Sequence, residues 1–259
     1  MIRNFDVIIK KICDLLSGLS PTVYLHGSVA GNDFKPGWSD VDILCITKDT
    51  IPEDTAQMLV HLRNSMRIDY SEREDFRIYE GVFLSKDGFL YNKRDRVVLW
   101  GASSDRITSL YVADVFTILD ILDNGVLICG DDIRQDMKRP THSDIIAAVG
   151  KQLAGIRAGA KRHAQNISKA GLMLDIARSL YTLEKDKVIS KTEAGEWALE
   201  KGIVPEPQVM EQVLEIRAHP DVYKDDSVVI DWANGLAHSI NAFADVLENK
   251  LADDVISES

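Results

Sequence analysis

The stretch LHGSVAGNDFKPGWSDVDILCI, residues 25–46, decides how this chain is read. An apolar run ends in the pair Gly27-Ser28. Twelve residues after Ser28, Asp40 and Asp42 stand one residue apart at the head of a second apolar run. On a strand, residues i and i+2 point to the same face, so these two carboxylates are aimed at one point. Held that close, carboxylates repel and raise one another's pKa unless a cation lies between them. Magnesium takes a few carboxylates and completes its shell with substrate phosphates. Gly27 lets backbone approach a phosphate closely, and Ser28, opening a short helix, offers its N–H and hydroxyl to a phosphate oxygen. A D-x-D alone reads as a capping turn before a buried strand. Strand, Gly-Ser, about a dozen residues, D-x-D, strand is the more specific pattern.

Outward from this stretch the chain is first mixed α/β and then all-helical. Phe5, Ile8, Ile9, Ile12, Leu15 and Leu16 predict an amphipathic helix over 3–18. Strands are expected at 22–26, 41–47, 77–85 and 96–100, with helices over 53–66 and 107–124, a turn at Asp87-Gly88 and a short apolar piece over 126–129. From Asp144 onward the pattern is helical only, ending in one long helix over 227–250. The change falls near Lys138-Arg139-Pro140-Thr141. The expected architecture is an α/β domain over 1–138, a mixed sheet with flanking helices, and an all-α helical bundle over 139–259.

Composition bounds the function. In 259 residues, 45% apolar content suffices for a sizeable core, and no apolar run is long enough to span a membrane. Charges interrupt the N-terminal apolar pattern, so no signal peptide is expected, and the expected location is cytoplasmic. Cys13, Cys45 and Cys129 lie far apart in apolar runs and read as separate buried thiols. A net charge of −11 is poorly suited to a nucleic-acid backbone and suits a small cationic partner. A monomer acting on a small molecule is expected.

The quoted stretch resembles the DNA polymerase β-like nucleotidyltransferases. Within that superfamily it is similar to the aminoglycoside adenylyltransferases that modify streptomycin (3''-OH) and spectinomycin (9-OH). Leu25-His26-Gly27-Ser28, Lys35-Pro36 and Ser39-Asp40-Val41-Asp42 carry the resemblance, His26 standing where an aromatic is usual. So do Ile176-Ala177-Arg178-Ser179-Leu180-Tyr181-Thr182 and Val188-Ile189-Ser190-Lys191 in the second half. The resemblance implies transfer of AMP from ATP to a hydroxyl with release of pyrophosphate, and a substrate site in the cleft between the domains. It implies two magnesium ions on Asp40 and Asp42, phosphate contacts from Gly27, Ser28 and Lys191, and Arg178 either beside them or in a salt bridge.

The third carboxylate is expected to be Glu80, in Tyr79-Glu80-Gly81-Val82-Phe83-Leu84, as general base and metal ligand. Asp69 is the competitor. Glu72, Glu74 and Asp75 read as a solvated charge run. Trp100, Asp175 and Tyr223 are candidate substrate contacts, each with a plain alternative: a core aromatic, a salt-bridge partner and a loop residue. Where the family carries acidic drug contacts, this chain reads Asn166-Ile167-Ser168-Lys169-Ala170-Gly171, with a lysine in place of carboxylates. That favours spectinomycin over streptomycin. The alternatives are another small hydroxylated acceptor, a protein hydroxyl of the regulatory or toxin–antitoxin kind, and a nucleotide-binding module without catalysis.

Overall fold

The computed structural model describes residues 5–69, 78–101 and 104–257; Glu72, Glu74 and Asp75 lie outside them. The chain forms two compact units. One comprises Met1–Ala30, Asp40–Ala113 and Asn124–Lys138. The other comprises Gly31–Ser39, Asp114–Asp123 and Arg139–Ser259. Two segments placed by sequence in the first domain, Gly31–Ser39 and Asp114–Asp123, therefore belong to the helical unit.

The first unit is a six-stranded mixed sheet. Its strands are β1 (Thr22–His26), β2 (Val41–Thr47), β3 (Tyr79–Ser85), β4 (Val97–Trp100), β5 (Asp105–Thr108) and β6 (Val126–Cys129), in the order β5-β4-β3-β2-β1-β6. β2 and β3 are parallel, and every other pair is antiparallel. The parallel pair requires a crossover, supplied by helix α3 (Glu53–Asp69). The unit also carries helices α1 (Phe5–Leu15), α2 (Gly27–Ala30) and α4 (Lys86–Tyr91). Ile8, Ile9 and Ile12 of α1 are buried. Each such burial is worth roughly 1.5–3 kcal/mol over exposure.

Two expectations about elements of this region change, and one about its thiols. The Asp87-Gly88 turn is the first turn of α4, because the Ser85 side chain accepts the Gly88 N–H at 3.0 Å and caps a helix there. The helix expected over 107–124 begins only at α5 (Val115–Asp123). Asp105–Thr108 adds an edge strand instead, and the Asp114 carboxylate accepts the Thr117 N–H at 3.0 Å to start the helix later. The thiols are not all separate either. Cys45 is buried, but Cys13 and Cys129 are half-buried with their sulfurs 2.9 Å apart.

The helical unit holds α5, α6 (His142–Ala160), α7 (Gly171–Lys185), α8 (Lys191–Glu200), α9 (Pro207–Ala218), α10 (Pro220–Tyr223), α11 (Ser227–Gly235) and α12 (Ala237–Ser257). Leu119 of α5 shares one core with Ile145, Leu174, Val213 and Phe243, which is why α5 belongs here. A Cβ at Gly195 would stand 2.8 Å from Leu174 and 2.9 Å from Leu214, so glycine lets α8 lie close against α7 and α9. The single long helix expected over 227–250 is two, separated at Leu236. No helix among the described residues is long and apolar enough to cross a membrane.

Candidate active site

The site in the first unit begins with strand register. Asp42 lies opposite His26 on β1 and opposite Glu80 on β3, so three polar residues form one row across neighbouring strands. Laterally paired residues share a sheet face. The buried alternatives on β2, Val41 and Ile43 to Ile46, belong to the core. Asp40 immediately precedes β2 and is exposed; Asp42 and Glu80 are half-buried. Asp69, the competitor for the third carboxylate, is the last residue of α3 and opens no strand. Glu80 is therefore the acid that the sheet sets beside Asp42.

The Gly-Ser turn is built around the same row. Gly27 has φ +66°, in the left-handed region, and a Cβ there would collide with the Asp42 carboxylate. Glycine is thus required both by backbone conformation and by the carboxylate beside it. The Ser28 hydroxyl donates to the Asp40 carbonyl at 3.2 Å, tying the turn to the head of β2.

A buried cation accompanies these acids. Arg63 of α3 is fully buried, with its Nε 4.0 Å from Asp105. Burial, then Arg67, push its guanidinium down to about 10, against the opposing pull of Asp105, Glu80 and Asp40. Arg67 also grips Asp105, at 3.1 Å. Burial holds the Asp105 carboxyl above its usual range despite both arginines. Sequence reasoning missed Arg63, since a lone arginine within an amphipathic helix reads as a solvated charge.

Among the described residues, no group of three or more His, Cys, Asp or Glu is gathered so as to hold a metal ion. The register sets Glu80 beside Asp42, the place the sequence reading gave the third carboxylate. The donor set still fits magnesium, because two carboxylates leave most of the shell to phosphate oxygens and water.

The helical unit carries a second charged cluster. Asp175 of α7 pairs with Lys191 at 3.0 Å and with Arg178 at 3.4 Å. Burial pushes the Asp175 carboxyl up, and the two cations more than offset it, holding the group below the ordinary carboxylate range. The Arg178 Nε is buried and has no hydrogen-bond partner among the described residues. A buried donor left in this way calls for an acceptor, and a phosphate oxygen is one. Lys191 opens α8 behind a capping box in which Ser190 and Glu193 satisfy one another's backbone N–H.

Comparison with known proteins agrees with this geometry. Residues 6–96 match the model of the nucleotidyltransferase domain, and residues 138–248 match that of the aminoglycoside adenylyltransferase C-terminal domain. The chain belongs to the aminoglycoside adenylyltransferase family. It is accordingly an enzyme, a nucleotidyltransferase. Its fold is similar to that of the spectinomycin adenyltransferase AAD(9) from Enterococcus faecialis, solved with ATP and spectinomycin. The TM-score is 0.69 at 17% identity, over 94% of this chain and 98% of that one. Among curated proteins, none matches the chain by sequence.

In this adenylyltransferase the expected antibiotic contacts fare unevenly. Trp100 is 2% exposed, packs on Phe83 with ring centroids 4.6 Å apart, and donates its indole N–H to the Leu59 carbonyl at 3.1 Å. It is packed as a core residue. Asp175 is the counter-ion of Lys191 and Arg178, which spends the acidity expected for a cationic drug. Tyr223 ends α10, half-buried, with its hydroxyl 3.4 Å from Glu215. Lys169, in place of the family's carboxylates, is 7% exposed and donates to the Asn234 carbonyl at 2.8 Å.

Proposed function

We propose that this enzyme transfers AMP from ATP to a hydroxyl of a cationic aminocyclitol and releases pyrophosphate, with spectinomycin favoured over streptomycin. The observation that carries the reading is the register that sets Asp42 beside Glu80 while Gly27 bends the backbone against the Asp42 carboxylate. Asp40 and Asp42 would hold magnesium, with two ions expected. When bound there, a divalent ion neutralises phosphate charge and polarises the phosphorus under attack. Ser28 offers its N–H and hydroxyl to phosphate oxygens, and Lys191 and Arg178 of the helical unit are the cations proposed for phosphate. Glu80 accepts the proton of the acceptor hydroxyl as that oxygen bonds to the α-phosphorus and the bond to pyrophosphate breaks.

Spectinomycin is favoured on two grounds. The similar fold of the Enterococcus enzyme was solved with it. The 166–171 stretch presents a buried, satisfied lysine where acidic streptomycin contacts would sit. A second reading, another small hydroxylated acceptor, is favoured by the burial of Trp100 and the neutralisation of Asp175.

The test is pyrophosphate release with Mg-ATP against spectinomycin, streptomycin, kanamycin-type aminoglycosides and lincomycin. Release with spectinomycin and not streptomycin is expected, and Asp40→Asn should lower it at least about 100-fold. Turnover by that variant near the wild-type rate would overturn the metal assignment. Silence across the panel with Mg-ATP binding intact would select the second reading.

A further inference from the structure

Cys13 and Cys129 are 116 residues apart in sequence, yet their sulfurs lie 2.9 Å apart. Cys13 lies in the last turn of α1, and Cys129 ends β6, the edge strand beside β1. Register holds the third thiol away from Cys129. Cys45 on β2 and Cys129 on β6 both lie opposite Val23 of β1, so they are separated by two strand spacings, roughly 9–10 Å. A disulfide requires Cα atoms closer than about 7 Å. The three sulfurs do not form a metal group either. Both members of the close pair are half-buried, whereas Cys45 is fully buried.

We propose that Cys13 and Cys129 are an oxidation site that forms an intramolecular disulfide on exposure to a small-molecule disulfide such as oxidised glutathione. One protein thiolate attacks a glutathione sulfur, forming a mixed disulfide and releasing one glutathione thiolate. The second protein thiolate attacks the protein sulfur of that mixed disulfide, forming the Cys13–Cys129 bond and releasing the second glutathione. Two protons leave the protein thiols and end on the two glutathiones. The protein pair loses two electrons and the glutathione disulfide gains them. Burial first, then the Cys129 sulfur, push the Cys13 thiol up to about 12, which slows the first attack without disfavouring the product. The closed loop contains β1, β2 and β3, hence Asp40, Asp42 and Glu80. Cross-linking so long a loop constrains the unfolded chain strongly.

The full chain is incubated with oxidised glutathione for several hours, then denatured without reductant. The expected result is a fall from three titratable thiols to one, with Cys45 the survivor, a Cys13–Cys129 linked peptide, and no retained glutathione. The thermal midpoint should rise by roughly 5–10 °C and return on reduction. Cys13→Ser and Cys129→Ser should each abolish the linked peptide, and Cys45→Ala should retain it. Three persisting thiols, a stable glutathione adduct on either residue, or a bond to Cys45 would overturn the proposal. Because every readout is independent of nucleotidyl transfer, failure of the acceptor assignment leaves this result standing.

Discussion

At the residue scale, the chain's least legible feature is Asp33. It lies in the segment between the two nucleotide motifs, a segment that belongs to the helical unit. Its carboxylate accepts from Arg217 at 2.6 Å, the Thr192 hydroxyl at 2.7 Å and the Thr192 N–H at 3.2 Å. Arg217 is 2% exposed and stands over the Trp38 ring, 5.7 Å from its centroid. Burial pushes the Asp33 carboxyl up, and the bonds from Arg217 and Thr192 more than offset it, so its pKa is lowered. Removing one partner of a buried pair leaves an uncompensated charge. Arg217→Met should therefore destabilise the helical unit by about 3–5 kcal/mol in urea, and adding Asp33→Leu should restore most of that. Equal loss in the single and double variants would show that the ion pair is not what matters. A carboxyl with a lowered folded pKa contributes stability above its unfolded value and loses it as pH falls through the folded one. The contribution of Asp33 should thus be complete above about pH 4 and fade below it, and Asp33→Asn should flatten that acid limb. None of this shows in sequence, because the partners are 184 residues apart and Arg217 falls on an otherwise apolar helix stripe.

At the scale of elements, the signals that worked were short-range. β1 and β2 were legible because one short, nearly continuous buried run ends at Gly27 and another starts at Val41, with turn residues between. Elements were misjudged where one side chain overrode the pattern. Ser85 made a helix of an apparent turn, and Asp114 delayed α5 long enough for an edge strand to form. The same capping chemistry sets Lys191. Ser190 accepts the Glu193 N–H at 3.2 Å, and Glu193 accepts the Ser190 N–H at 3.1 Å, which fixes where α8 begins. Losing the cap frays the first turn, the turn that carries Lys191. Ser190→Ala should cost about 1 kcal/mol of stability and raise KM for ATP several-fold more than KM for the acceptor. Ser190→Thr should restore both. Loss of stability with an unaltered ATP KM would detach Lys191 from the nucleotide.

At the scale of the whole molecule, charge separates the two proposed substrates. The chain carries −11, and Asp40, Asp42 and Glu80 concentrate negative charge around one row of the sheet. Under the proposed function a cationic acceptor approaches with the field, whereas ATP approaches against it. Salt should therefore act on the two substrates in opposite directions. Between about 0.02 and 0.3 M salt the screening length falls from roughly 20 Å to 6 Å, so attraction reaching beyond the contact shell is lost. KM for a cationic aminocyclitol should rise several-fold over that range at saturating ATP. KM for Mg-ATP at saturating acceptor should stay level or fall. An uncharged hydroxylated acceptor has nothing to lose to screening, so a flat acceptor KM in a turning-over enzyme would place the true substrate outside the cationic antibiotics. Parallel rises for both substrates would instead report a general effect of salt on the enzyme and remove the field of the carboxylates from the account of acceptor binding.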